Sequence, residues 1–193
     1  MKSREFASSG REIVVIAHNI RSIQNVGSIL RTSEGFGVAR VFATGYTPIP
    51  TNGLPHVRAK LARDLHKTAL GAEEIVDFVA APDVFDLIEK LRADGFRVVG
   101  LEQDARAISL PEFNSVIARS KATKQSSGRL KAGSPRCARD DVKIALLLGE
   151  EVNGLTPELR DTCDDLIEIP MFGRKESFNV SVACGIALYE LSI

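Results

Sequence analysis

Three stretches of the chain place polar and charged side chains where a strand hands over to a helix, the position at which α/β proteins assemble ligand sites. The first is Asn25-Val-Gly-Ser-Ile-Leu-Arg-Thr-Ser-Glu-Gly-Phe-Gly37. A helix opening near Asn25 offers N–H groups without intrahelical partners, which suit a phosphate. Arg31 and Thr32 follow about two turns further on. An amphipathic helix capped by Asn25, with Arg31 solvated, explains the same residues. The second stretch is Leu147-Leu-Gly-Glu-Glu-Val-Asn-Gly-Leu-Thr156. An apolar strand running into Gly149-x-x-x-x-Gly154 is half of a phosphate-binding loop. Leu155-Thr156 stands where that loop needs Lys-Ser/Thr, so phosphoryl transfer from a nucleoside triphosphate is disfavoured. Glycines serving only a turn fit equally well. The third is Ile169-Pro-Met-Phe-Gly-Arg-Lys-Glu-Ser-Phe-Asn-Val-Ser-Val-Ala183. Here Ser177 and Asn179 are placed to cap a helix, and capping alone would account for them.

Other chemistries lack the residues they need. His18, His56 and His66 have no metal-ligand spacing with one another or with cysteine, so no metal is expected. There is no Gly-x-Ser-x-Gly nucleophile elbow. Gly35-Phe-Gly37 lacks the third glycine of a dinucleotide fingerprint, which argues against a nucleotide-binding oxidoreductase. Cys137, Cys163 and Cys184 are odd in number and without CxxC spacing, as expected of reduced thiols. Cys184 falls on the apolar face of the terminal helix and is expected in the core.

The elements that must position these stretches alternate between strand and helix. The pattern predicts strands over 13–17, 41–44, 75–79, 96–101, 143–148 and 166–169. Helices are predicted over 25–36, 57–70, 157–163 and 179–191, with one more opened by Pro82. In that last helix Val84, Phe85, Leu87, Ile88 and Leu91 form one stripe, and Gly95 stops it. Residues 114–141 show no periodicity and read as a loop insertion. Such alternation implies an α/β fold with a mostly parallel sheet and helices on both faces. Residues 1–12 read as a polar N-terminal extension and 13–193 as one domain, interrupted at about 114–141.

Composition limits the class further. The 193 residues are 44% hydrophobic, enough for one core and too much for a disordered chain. No apolar run reaches membrane-spanning length, and the start lacks an apolar signal core, so a cytoplasmic protein is expected. The 25 basic and 25 acidic residues cancel, which argues against a dominating basic nucleic-acid arm. The zero hides an asymmetry. Residues 119–139 hold seven basic residues and no acidic one, so the remainder carries about −7.

Taken in order and spacing, the three stretches resemble the signature motifs of the SPOUT superfamily of RNA methyltransferases, TrmH (SpoU) branch. Asn25-Val-Gly…Arg31-Thr32 matches motif one, Gly149-x-Glu151-x-x-Gly154 motif two, and Ile169-Pro-Met…Ser177-Phe-Asn-Val-Ser motif three. Lys67-Thr-Ala-Leu-Gly-Ala-Glu73, after a Tyr-Thr-Pro loop, resembles short stand-alone members. The resemblance spans Ile13 to Leu191 apart from the basic insertion. It implies a C-terminal deep trefoil knot, a homodimer through the knot region with the active site completed across the interface, and S-adenosyl-L-methionine as cofactor. By position, Gly149, Ile169 and Phe178 would contact the cofactor, with Leu148 and Met171 as apolar walls around the adenine. Phe178 replaces the leucine common there. The implied reaction is 2′-O-methylation of an RNA ribose.

Arg31 sits where the family places the reacting hydroxyl's partner. A guanidinium with a pKa above about 12 is a poor base, so Arg31 is read as a clamp on the adjoining phosphate that stabilises developing negative charge. Asn25 and Asn179 would position substrate or Arg31, Ser177 would hydrogen-bond nearby, and Glu151 would order the loops or hold Arg31 through a charge-assisted bond. Transfer RNA is preferred over ribosomal RNA, because a minimal domain with no room for an RNA-binding domain before Ile13 has little surface for ribosomal contacts. The alternatives are a ribosomal-RNA enzyme, an inactive knotted RNA-binding protein and a base-directed SPOUT enzyme. The motifs overrule the inference drawn from net charge. RNA contact then falls to Arg21, Arg31, Arg58, Lys60, Arg63, Lys67, Arg174 and Lys175, with the 114–141 insertion either a passive loop or an RNA-binding lasso.

Overall fold

A computed structural model describes residues 11–51, 53–125 and 142–193. Seven strands form one sheet in which every ladder is parallel: β1 (Glu12–His18), β2 (Arg40–Thr44), β3 (Asp77–Ala81), β4 (Phe96–Leu101), β5 (Ile108–Ser109), β6 (Lys143–Leu148) and β7 (Asp165–Glu168). Their order across the sheet is β3-β2-β1-β6-β4-β7-β5. The trefoil knot implied by the resemblance fits this order.

Alternation along the strands sorts side chains to two cores. Val15 of β1, paired with Leu146 of β6, lies in one core with Val41, Val99 and Ile167. This core is covered by α1 (Ile23–Gly35), α2 (Pro55–Ala69), α4 (Leu110–Gln125) and α6 (Val180–Ser192). Val14, Ile16, Ala145 and Leu147 face the opposite way, under α3 (Val84–Ala93) and α5 (Pro157–Thr162). Runs such as Lys143–Leu148 are apolar on both faces because both faces are covered. Cys184 is fully buried in the first core, as its position on the terminal helix predicts. No helix among the described residues is long and apolar enough to cross a membrane.

Several boundaries differ from the sequence reading, each for a local reason. Residues 114–125, read as loop, belong to α4. Leu110, Phe113 and Ile117 recur at helical spacing and are buried, and this stripe docks the helix on the core. The remainder of the insertion, 126–141, lies outside the described residues together with Cys137. Strand β3 begins at Asp77, not Ile75; Ile75 closes a 3₁₀ turn over Ala72–Glu74 and is exposed. Pro82 precedes α3, and Asp83 caps it by accepting from the Phe85 and Asp86 N–H groups. That cap rotates Phe85 out of the buried stripe, while Val84, Leu87, Ile88 and Leu91 stay in it. Arg11, in the predicted polar extension, donates to Asn114 Oδ1 (2.6 Å) and the Leu191 carbonyl (2.7 Å), tying the start of the described chain to α4 and α6.

Candidate active site

Strand β6 lies between β1 and β4, and its carboxyl end opens into the second motif. The turn after it is a closed loop. Glu150 N–H donates to the Gly154 carbonyl (3.2 Å), and Gly154 N–H returns a bond to the Glu150 carbonyl (3.0 Å). The two ends of this loop touch at Gly149, where a Cβ would lie 2.5 Å from the Gly154 carbonyl carbon. Gly154 itself has φ +65°, in the left-handed region that glycine occupies without strain.

Glu102, at the end of β4, fastens this loop. Its carboxylate accepts from Leu155 N–H (2.6 Å) and Gln103 N–H (3.1 Å), and a Cβ on Gly154 would come within 2.1 Å of it. Sequence reasoning assigned Glu102 no role. Its partners are backbone N–H groups, which the sequence does not mark.

A cavity of about 330 Å³ lies between this loop and the chain after β7. All five residues expected to hold the cofactor line it: Leu148, Gly149, Ile169, Met171 and Phe178. Glu151 and Ser177 line it as well. Its lining mixes apolar side chains with polar ones, and among the described residues its charged members are glutamates, including Glu102, Glu150 and Glu168, with no lysine or arginine. No group of three His, Cys, Asp or Glu among the described residues is placed to hold a metal ion.

Glu151 joins the second motif to the first. One carboxylate oxygen accepts from Ser22 N–H (3.1 Å) and Asn25 Nδ2 (3.0 Å), and the other from Arg21 N–H (3.0 Å). The structure corrects the reading of Asn25 as the cap of α1, because Ser22 Oγ accepts from Asn25 N–H (3.3 Å). Helix α1 starts at Ile23 with Ser22 as its cap, and a carboxylate from within the chain already occupies its approach. Asn25 in turn accepts from Asn179 Nδ2 (3.2 Å), so the third motif is joined too. Asn179 caps α6, its Oδ1 accepting from Ser181 N–H (2.9 Å) and Ser181 Oγ (2.7 Å), whereas Ser177 faces the cavity and does not cap the helix. Arg31 is exposed, lies outside the cavity lining, and makes no hydrogen bond or ion pair among the described residues.

Partial burial disfavours the charged form of Glu151, but bonds from Arg21, Asn25 and Ser22 together outweigh it and hold the carboxyl below its ordinary pKa. A depressed folded-state pKa contributes stability at neutral pH that is lost as pH falls through that pKa. Glu151→Gln is therefore expected to lower stability at pH 7 by about 1 kcal/mol, given the partial exposure of the group. It should also flatten the acid limb of the profile. Urea unfolding at neutral and acid pH, wild type beside variant, checks both.

The parallel sheet and the loop-built cavity beyond β6 are those of an α/β protein with a ligand site outside the carboxyl ends of its strands. The sequence profile of the SpoU rRNA Methylase family matches residues 12–189, and the chain belongs to that family. It is 30% identical over 184 residues to the 23S rRNA (guanosine-2'-O-)-methyltransferase RlmB of Xanthomonas axonopodis pv. citri, covering 95% of this chain and 59% of that protein. The RlmB of Coxiella burnetii is 29% identical, over 93% of this chain and 57% of its own length. The chain thus spans less than two thirds of these relatives. Among solved structures, an AdoMet-bound rRNA methyltransferase from Sinorhizobium meliloti superposes with a TM-score of 0.68 at 24% identity, covering 93% of this chain and 55% of that one. The A. aeolicus TrmH/SpoU tRNA modifying enzyme superposes at 0.66 with 22% identity, over 94% and 74%.

Proposed function

We propose that the chain methylates a ribose 2′-hydroxyl of RNA from S-adenosylmethionine, with ribosomal RNA as the substrate class. The observation that carries this reading is the union of the three motifs through Glu151, Asn25 and Asn179 beside a cavity lined by all five expected cofactor residues. The relatives named above add the RNA class, since two of them are named for 23S rRNA. The preference for transfer RNA drawn from chain length gives way on that ground. Transfer RNA stays as the second reading, because one superposing structure is named as a tRNA modifying enzyme.

The cavity suits this cofactor. Its apolar walls at Leu148, Met171 and Phe178 fit an adenine, and a lining with carboxylates and no cation fits a molecule with a positive sulfonium. When bound, the cofactor supplies an electrophilic methyl group. Gly149 and Ile169 offer backbone groups to hold it, and Ser177 hydrogen-bonds at the same wall.

Arg31 clamps the phosphate next to the reacting ribose and stabilises the charge that develops on its oxygen as the proton leaves. Asn25 and Asn179 orient the substrate side, and Glu151 fixes both motifs in place. Arg31 lies outside the cavity of its own chain, which fits a homodimer in which it serves the partner's cavity. Helix α6 supplies a face for such a dimer: it is mostly apolar, and its Val182 and Tyr189 remain exposed.

Mapping of 2′-O-methylation in total RNA with and without the protein tests the proposal, because a methylated ribose resists alkaline cleavage. Loss of a single alkali-resistant position in ribosomal RNA is the expected result. Loss in transfer RNA selects the second reading, and unchanged maps would overturn both.

A further inference from the structure

Three loops meet beside the cavity and leave an aromatic ring and a guanidinium in the open. Tyr46, in the loop after β2, is 51% exposed, and the side chain of Arg21, in the loop after β1, is 72% exposed. Both are fixed in place. Tyr46 N–H donates to Asn19 Oδ1 (3.1 Å), and Arg21 N–H donates to Glu151. Arg21 Nη2 also lies 3.4 Å from Glu150 Oε1, and the Tyr46 hydroxyl interacts with both Glu150 and Arg21. Glu150 and Glu151 line the cavity, so this pair stands at its mouth. An exposed phenol ring beside an exposed guanidinium offers two planar surfaces, which suit an unstacked nucleobase.

The neighbouring helix indicates the same kind of partner. Helix α2 begins nine residues after Tyr46 and carries His56, Arg58, Lys60, Arg63 and Lys67. Asp64 is its one acidic residue, and it pairs with Lys67 (2.8 Å). Exposed basic residues on the helix that follows an aromatic platform match a single-stranded polyanion with planar bases.

We infer that Tyr46 and Arg21 form the platform on which a base of the RNA substrate stacks at the mouth of the cofactor cavity, with the cations of α2 following its phosphates. This rests on the RNA reading proposed above. It adds a base-stacking role at two residues that the three motifs do not contain.

Fluorescence anisotropy with a labelled single-stranded RNA of mixed sequence tests the inference, alongside calorimetry with S-adenosylmethionine and light scattering. Tyr46→Ala should weaken RNA binding at least about tenfold, leaving cofactor affinity and molecular mass unchanged. Tyr46→Phe, which keeps the ring, should bind within about twofold of wild type. Arg21→Ala should weaken binding and lower its salt dependence by about one phosphate contact. Tyr46→Ala binding RNA like wild type would overturn the platform alone. A change of mass in Tyr46→Ala would overturn it too, by placing the ring between copies of the chain. A wild-type protein that binds the cofactor but no RNA would instead overturn the RNA reading itself.

Discussion

Gly149→Ala is expected to remove S-adenosylmethionine binding, with no calorimetric signal at ligand concentrations that saturate the wild type. The argument is steric and local. The added methyl carbon would sit 2.5 Å from the Gly154 carbonyl carbon, 2.6 Å from its oxygen and 2.6 Å from Leu155 N. These are backbone atoms, so no side chain can swing away to make room. The Glu150–Gly154 bridge closes the loop on one side, and Glu102 holds Leu155 on the other. The strain must spread through the turn that forms one wall of the cavity. Overpacking of this kind costs about 1–3 kcal/mol of stability, which urea unfolding will report beside the binding loss. Gly173 provides the control: a Cβ there would meet nothing within 4 Å. Gly173→Ala should therefore bind the cofactor as wild type does. Unchanged affinity in Gly149→Ala would mean that the loop after β6 is not the cofactor's wall.

The physics of this turn also explains what the sequence could and could not disclose. Strands β1, β4 and β6 are legible because their aliphatic runs, such as Ile13-Val-Val-Ile-Ala17 and Ile144-Ala-Leu-Leu-Leu148, are covered on both faces and need no other signal. Strand β5 has two residues, too few for any period, and is recruited only by pairing with β7. Helix α4 shows three buried apolar positions and then a polar, basic run, so its stripe is lost among the residues that follow. Ile75 misled in the opposite sense, being apolar yet exposed in a turn.

That Leu148, Gly149, Ile169, Met171 and Phe178 share one cavity was legible because all five fall in contiguous motifs. The network behind it was not. Glu151 reaches Asn25 across 126 residues, and Asn25 reaches Asn179 across 154. No local spacing encodes bonds of that span. Glu102 escaped for a related reason: its partner is a backbone N–H, which has no residue-type signature.

Arg31→Ala is expected to lower methyl transfer by about 10²–10³-fold, the usual cost of removing a donor aimed at developing charge, with cofactor affinity unchanged. An exposed arginine without a described partner contributes little to folding, so stability should move by no more than about 0.5 kcal/mol. A large catalytic loss at constant stability and constant cofactor affinity separates a substrate clamp from a structural residue. Arg31→Lys keeps the charge but not the planar fork, and should fall between the two. The position of Arg31 outside its own cavity makes a sharper test possible. In the proposed homodimer, a pair built from one Arg31→Ala chain and one Gly149→Ala chain holds one intact cavity, on the chain that lacks Arg31. If Arg31 serves the partner's cavity, that site is complete, and mixing the two inactive variants should restore about a quarter of wild-type activity, since half the dimers are hybrids with one working site each. If Arg31 serves its own cavity, no hybrid holds a complete site, and the mixture stays as inactive as its parts.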